Sequence, residues 1–230
     1  MRDIRDILIL DLKGLTNDQA LAIARLLGHL VYAVKIHDGP LSFVLDLLRT
    51  DVPRVMKDRK IHETPSGAAY VADQMVGAQI LTAHCSGGHE MLRQVKDAFR
   101  SGEVYGVTLL SSFSDDDVRR IYGCSFEEQI KRLATEAVRA GITGVVCPVR
   151  ANKILSEWEP TSSLKLMNAG TRLPGEESQG HFNAMSPAYA ILSNASHLVV
   201  GRQVVQAEEP RAALERYLEN IRTVLPKTQP

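Results

Sequence analysis

Short apolar β-rich runs alternate with segments of helical spacing along the whole chain, and this alternation limits the fold more than any other feature. The predicted strands are residues 7–11, 32–36, 54–58, 78–84, 104–110, 144–147, 164–168 and 197–201. The predicted helices between them include residues 17–30, 41–49, 68–76, 90–100, 126–140, 187–193 and 210–224. Eight βα units within 230 residues predict one (β/α)8 TIM barrel domain over residues 1–230. A doubly wound open sheet is the alternative fold. The first predicted strand is not followed by G-x-G-x-x-G, which disfavours the dinucleotide-binding form of that alternative.

Composition and charge narrow the class of protein. The chain is 44% apolar, enough to bury a sizeable core, and it contains no apolar run of membrane-spanning length. The chain has 27 basic residues (Lys and Arg) and 27 acidic residues (Asp and Glu). Its net charge therefore gives no reason to expect binding to nucleic acid or to an anionic membrane. The first residues lack the features of a signal peptide, and the cysteines (Cys85, Cys124 and Cys147) are odd in number and widely spaced. We therefore expect a cytoplasmic protein with reduced cysteines and no metal knuckle.

Polar side chains stand where the predicted strands end. In a (β/α)8 barrel the carboxyl ends of the strands form the catalytic face. The polar residues at these ends are Asp11, Lys13, Lys35, His37, Asp58, Lys60, His84, Ser111, Ser112, Asn168 and Arg202. Two acids and two amines among them, on the first three strands, are predicted to converge on one site. For His84 a buried structural histidine is the alternative.

The third predicted strand ends in the pattern D-x-K-x-x-E, formed by Asp58, Lys60 and Glu63. Side chains on a strand repeat every two residues, so Asp58 and Lys60 are expected to point the same way. Glu63 comes after the strand, where it can face a different cavity or a neighbouring subunit. Ionisable groups packed so closely must pair, and such clusters occur where proton transfer is controlled. A surface salt-bridge cluster is the alternative interpretation.

The last two strands are each followed by glycine and arginine. Gly170 and Arg172 follow strand seven, and Gly201 and Arg202 follow strand eight. Glycine lets backbone N–H groups approach an anion, and arginine supplies charge-assisted hydrogen bonds, so this region predicts a phosphate site. The polar segment 173–183 is predicted to be a lid that closes over the substrate.

Taken in order, these motifs cover nearly the whole chain. They are Leu8-Ile9-Leu10-Asp11, Ala33-Val34-Lys35, Asp58-Arg59-Lys60-Ile61-His62-Glu63-Thr64-Pro65, Leu81-Thr82-Ala83-His84 with Gly87-Gly88, Val107-Thr108-Leu109-Leu110-Ser111-Ser112, Gly144-Val145-Val146-Cys147, Ala169-Gly170-Thr171-Arg172 and Val200-Gly201-Arg202. Their order and spacing resemble the orotidine 5'-monophosphate decarboxylase family and, more broadly, its superfamily of phosphate-binding barrels.

The resemblance implies decarboxylation of orotidine 5'-monophosphate to uridine 5'-monophosphate in pyrimidine synthesis, with no cofactor and no metal. It implies that Asp58 sits against the substrate carboxylate and that Lys60 delivers the proton. The partner subunit would supply Glu63, so a homodimer with shared active sites is expected. The resemblance also implies the residues that hold the ribose, the pyrimidine edge and the phosphate: Asp11 and Lys35 for the ribose, Ser112 for the pyrimidine, and Gln179, Gly201 and Arg202 for the phosphate. Gly170 and Arg172 join the predicted substrate-binding residues through the glycine and arginine pattern after strand seven.

The chain departs from the family pattern at three segments. Glu63, Thr64, Ser66 and Gly67 differ from the family's D-x-K-x-x-D signature and the residues that follow it, with Glu63 in place of the second aspartate. Ala169 replaces a proline, and Ser178 precedes Gln179 where the family has aspartate. Two other functions stay open. One is a metal-dependent decarboxylase or aldolase of sugar phosphates, although such sites typically have a glutamate as a metal ligand where this chain has Lys35. The other is a barrel that binds a phosphate ligand without turnover.

Overall fold

A computed structural model describes residues 3–100, 102–176 and 185–225 of the chain. Within these residues, eight parallel strands close into a barrel in sequence order, and the last strand pairs with the first. The strands are β1 (Leu8–Asp11), β2 (Ala33–Ile36), β3 (Val55–Ile61), β4 (Ile80–His84), β5 (Glu103–Val107), β6 (Gly144–Cys147), β7 (Lys165–Ala169) and β8 (His197–Val200). The predicted (β/α)8 barrel is confirmed, and the open sheet is wrong.

Helices cover the outside of the barrel between consecutive strands. They are α1 (Asn17–Leu27), α2 (Leu41–Leu48), α3 (Pro65–Asp73), α4 (Gly88–Ala98), α5 (Asp115–Tyr122), α6 (Phe126–Ala140), α7 (Asn152–Glu157), α8 (Pro187–Leu192), α9 (Arg202–Val205) and α10 (Pro210–Arg222). Each predicted helix is present, with bounds that differ by at most three residues. The helices α5, α7 and α9, of eight, six and four residues, were not predicted.

The helix ends carry local signals that fix where the helices begin and end. Thr16 forms a capping box with Gln19 at the start of α1. Thr64 caps α3, and Pro65 occupies its first turn, where its missing N–H costs nothing. Gly141 ends α6 in the left-handed conformation with a φ of 64°, which glycine adopts without strain. The helix α3 therefore starts directly after the D-x-K-x-x-E segment.

The apolar core has two layers. Inside the barrel, side chains such as Ile9, Met56 and Met167 form one buried cluster. Between the strands and the helices, larger clusters of aliphatic side chains form the second layer. The alternation of side chains along each strand supplies both layers, because successive residues point inward and outward.

A polar cluster lies at the amino ends of the strands, opposite the catalytic face. Glu103 accepts hydrogen bonds from the hydroxyls of Tyr32 and Tyr105, at 3.0 and 3.1 Å, and pairs with Lys165 at 2.6 Å. Burial and the neighbouring Glu103 carboxylate raise the pKa of Tyr32 to about 12. These contacts pair the two tyrosine hydroxyls and the Lys165 ammonium with the Glu103 carboxylate, and the cavity described below lies at the other end of the barrel. Among the described residues, no helix has the length and apolar character needed to cross a membrane.

Candidate active site

A cavity of about 600 Å³ opens at the carboxyl ends of the strands. Its floor is apolar and is built by inward-facing residues of the barrel such as Met56, Val146 and Met167. Its charged or ionisable lining residues are Asp11, Lys13, Lys35, His37, Asp58, Lys60, Arg172 and Arg202. A polar rim above an apolar floor suits a ligand with a flat ring and an anionic group.

Four of these charged residues form one continuous cluster. The Lys35 ammonium lies 2.9 Å from a carboxylate oxygen of Asp11 and 2.9 Å from Oδ2 of Asp58. The Lys60 ammonium lies 2.5 Å from the same Oδ2. The structure therefore brings together the two acids and two amines that the sequence placed at the ends of β1, β2 and β3.

The cluster keeps its charges because they are paired. Burial by itself would raise the pKa of Asp58, but the positive charges of Lys35 and Lys60 outweigh it and hold this pKa well below its usual range. Burial by itself would lower the pKa of Lys35, and the carboxylates of Asp58 and Asp11 outweigh it in turn. A substrate thus meets an ionised Asp58 carboxylate, one oxygen of which contacts the ammonium groups of both Lys35 and Lys60.

The strand β3 extends three residues further than predicted, through Ile61, and it is irregular over this extension. Its register with β4 shifts between Lys57 and Ile61. Within the shift, Lys60 has a φ of 49°, in the left-handed region that residues with side chains rarely adopt. Backbone strain of this kind is often held at functional sites. The predicted shared direction of Asp58 and Lys60 is realised here on a bulged strand rather than a regular one.

Glu63 lies outside the cluster of its own chain. Its side chain is exposed, and its Oε1 accepts the backbone N–H of Thr64 at 3.0 Å. Among the ion pairs of the described residues, none joins Glu63 to Lys35 or Lys60 of the same chain. Any contribution of Glu63 to a site must therefore come through a rearrangement or through a second subunit.

The glycines and arginines after β7 and β8 meet at one side of the cavity. Gly170, Arg172, Gly201 and Arg202 all line it. Gly170 has a φ of 82°, which favours glycine. Arg172 is largely buried, and its Nη1 donates to the carbonyl oxygen of Thr171 at 2.8 Å. Burial lowers the pKa of Arg172, and Tyr217 and Glu176 oppose this shift only in part. Two guanidinium groups that line the same cavity favour the binding of an anion there.

The remaining predicted residues have three different outcomes. Ser112 lines the cavity together with Ser111. Gln179 lies outside the described residues, as do residues 177–183 of the predicted lid. His84 does not line the cavity: its ring packs edge-on against His62, with centroids 5.6 Å apart, and burial lowers its pKa.

The placement of Asn168 at the catalytic rim is wrong. Its side chain is fully buried outside the barrel, where its Nδ2 donates to the Cys147 carbonyl oxygen at 2.9 Å and to Asn152 at 2.8 Å. On β7 the residues that line the cavity are Met167 and Ala169. Successive side chains on a strand alternate between its two faces, so a position that is wrong by one residue places the side chain on the opposite face.

His37 and Thr82 were not assigned roles from the sequence, although the structure places both at the cluster. His37 lines the cavity with its Nε2 3.3 Å from the Lys35 ammonium. Burial and the charge of Lys35 lower the pKa of His37, which favours the neutral ring. Thr82 donates to Asp58 at 2.9 Å. A single polar residue within the apolar run of β4 was the available signal for Thr82.

The fold and this site define a class: a (β/α)8 barrel whose carboxyl-terminal cavity carries an alternating lysine and carboxylate cluster and two arginines. The Orotidine 5'-phosphate decarboxylase / HUMPS family matches residues 7–217. The chain therefore belongs to this family.

Individual relatives agree with the family assignment. The orotidine 5'-phosphate decarboxylase of Pseudomonas putida (strain W619) is 31% identical over 229 residues, which cover 94% of this chain and 97% of that protein. The crystal structure of the orotidine 5'-phosphate decarboxylase from Lactobacillus acidophilus matches with a TM-score of 0.78 at 25% identity, covering 94% of this chain and 99% of that one. The orotidine 5'-monophosphate decarboxylase of Methanocaldococcus jannaschii, solved with the inhibitor BMP, shares the fold with a TM-score of 0.73 at 19% identity, over 94% of this chain and 99% of that one.

Proposed function

We propose that this protein converts orotidine 5'-monophosphate to uridine 5'-monophosphate in de novo pyrimidine synthesis, without a cofactor. The observation that carries the proposal is the shared oxygen of Asp58, which lies 2.9 Å from the Lys35 ammonium and 2.5 Å from that of Lys60 inside the barrel cavity. Membership of the family and the named relatives supply the substrate.

The chemistry needs fixed charge. Loss of carbon dioxide from C6 of the orotate ring leaves a vinylic carbanion with no adjacent carbonyl placed as an electron sink. The Lys60 ammonium stabilises the developing negative charge and then protonates C6. Asp58 lies against the departing carboxylate, and its negative charge disfavours the bound substrate relative to the carbanion.

The other site residues bind the rest of the nucleotide. Asp11 and Lys35 hold the ribose hydroxyls, and the neutral ring of His37 can donate or accept a hydrogen bond beside them. Ser112 contacts the pyrimidine edge. The phosphate-binding residues are Gly170, Arg172, Gln179, Gly201 and Arg202.

We further infer that residues 1–230 form one domain, that the protein acts in the cytoplasm, and that it works as a homodimer. The dimer is supported by Glu63, which is exposed and unpaired with the lysines of its own cluster while the family pattern places an acid at this position. In the dimer Glu63 completes the neighbouring site beside Lys60.

The direct test is a spectrophotometric assay of the purified protein with orotidine 5'-monophosphate, in the presence and absence of a chelator. If the orotate absorbance is lost at the same rate with and without the chelator, the proposal is supported. Turnover that the chelator abolishes would indicate a metal-dependent enzyme. Binding of uridine 5'-monophosphate without any turnover would indicate a barrel that only binds its ligand.

Arg202→Ala tests the phosphate site. A charge-assisted hydrogen bond contributes roughly 1.5 to 3 kcal/mol, so uridine 5'-monophosphate should bind about one to two orders of magnitude more weakly. In the wild-type protein, added phosphite dianion should partly restore turnover of a substrate that lacks the phosphate. Isothermal titration calorimetry measures the affinity, and Arg211→Ala, an exposed arginine of α10, is the matched control. Unchanged affinity in Arg202→Ala would move the phosphate site elsewhere.

A further inference from the structure

The Thr82 side chain occupies the irregular part of the β3–β4 pairing. Between the paired positions Lys57 with Leu81 and Ile61 with Ala83, β3 carries three residues while β4 carries Thr82 alone. The backbone of β3 therefore cannot continue the regular ladder through this stretch, and Thr82 is the residue of β4 that faces it.

The Thr82 hydroxyl makes two hydrogen bonds that tie the reacting pair together. It accepts the backbone N–H of Lys60 at 2.9 Å and lies 2.9 Å from Oδ1 of Asp58. A backbone N–H can only donate, so the hydroxyl accepts there and its own proton points to Asp58. The Thr82 side chain is fully buried by the residues that the structure describes. Its two hydrogen bonds therefore form away from solvent.

This arrangement divides the two oxygens of the Asp58 carboxylate. Oδ1 receives the hydroxyl of Thr82, and Oδ2 faces the ammonium groups of Lys35 and Lys60. Rotation of the carboxylate would break contacts on both sides. The same hydroxyl satisfies the amide of Lys60 in its left-handed conformation, which offers the ladder no regular partner.

Thr82 acts on the site through these neighbours. The residues that line the described cavity include Met56, Asp58 and Lys60 but not Thr82. We propose that Thr82 is a positioning residue, which holds the Asp58 carboxylate and the Lys60 backbone in the geometry that proton delivery requires. The inference rests on the proposed decarboxylation.

The central variant is Thr82→Val, which keeps the shape of the side chain and removes both hydrogen bonds. A displacement of about one ångström can cost about a hundredfold in rate, so kcat should fall by about 10²-fold. The affinity for uridine 5'-monophosphate should change by less than about threefold, because the ribose and phosphate contacts remain. Thr82→Ser keeps the hydroxyl and should restore kcat to within about tenfold of wild type.

A control separates positioning from general stability. Thr161 is also buried, and its hydroxyl donates to the Leu155 carbonyl oxygen at 2.8 Å, but it does not line the cavity. Thr161→Val should lower the thermal midpoint without changing kcat at a temperature well below it. If Thr82→Val does not fold, Thr82→Ala takes its place, since a water can fill the space and satisfy the Lys60 amide.

A crystal structure of the variant gives a result that does not depend on turnover. It should show the Asp58 carboxylate rotated or the φ of Lys60 displaced from the left-handed region. Absence of turnover in the wild type would overturn the proposed function, while this structural result would still test Thr82. An unchanged kcat, an undisturbed Asp58–Lys60 pair, or a parallel loss of kcat and product affinity would overturn the positioning role.

Discussion

Lys60→Ala is expected to lower the decarboxylation rate by at least about 10⁴-fold, because it removes the proposed proton donor and, with it, the charge proposed to stabilise the carbanion. The Lys60 ammonium is the group on β3 that meets Asp58 inside the cavity, at 2.5 Å. The phosphate and ribose contacts come from other strands, so uridine 5'-monophosphate should still bind. Single-turnover kinetics and calorimetry with the product measure the two effects.

The same strand offers a matched control. Lys57 precedes Lys60 by three residues, and its ammonium lies 3.4 Å from the Gly39 carbonyl oxygen, outside the cavity lining. Lys57→Met keeps most of the length of the buried side chain and should retain most of the activity. If Lys60→Ala kept more than a few per cent of wild-type turnover, Lys60 would not be the proton donor.

The second large effect concerns Glu63. Glu63→Gln should reduce turnover by at least about 10²-fold, because in the proposed dimer it removes a charge that orders the lysines of the neighbouring site. Glu63→Asp should be tolerated or faster, since it restores the side-chain length of the family pattern. Steady-state kinetics of the two variants measures both effects.

A subunit-mixing experiment tests whether the site is shared. Lys60→Ala and Glu63→Gln protomers are each expected to have little activity, but in the proposed dimer a mixed pair has one site with its own Lys60 and the partner's Glu63 unmutated. Random pairing in equal amounts should restore about one quarter of wild-type activity. Native mass spectrometry shows whether the subunits have exchanged. With exchange established, a mixture that stays inactive would mean that Glu63 acts within its own chain or not at all, and the shared-site proposal would be abandoned.

Where residues bring their own local signal, the sequence was a good guide to structure. The strand β6 (Gly144–Cys147) and the helix α6 (Phe126–Ala140) have the predicted bounds. Both depend on periodicity within one segment, and Gly141 marks the end of α6. The convergence of Asp11, Lys35, Asp58 and Lys60 also followed from the sequence, because the carboxyl ends of parallel strands meet at one face of a barrel.

The misplaced and missed residues depended on contacts between segments. Asn168 is turned away from the cavity because the inward face of β7 is set by its register with β6 and β8. The bulge in β3 and the left-handed φ of Lys60 could not be predicted from β3 itself. They involve a hydroxyl of β4, which is 22 residues away in the chain.

The sequence by itself determined the barrel and the identities of the charged residues at its rim, because strand and helix periodicity and strand-end positions are local properties. The tertiary structure decided which way each carboxylate faces and which oxygen each ammonium meets. The reason is physical: Asp58 is oriented by Lys35 of β2, Lys60 of β3 and Thr82 of β4, and these groups meet only after the barrel closes.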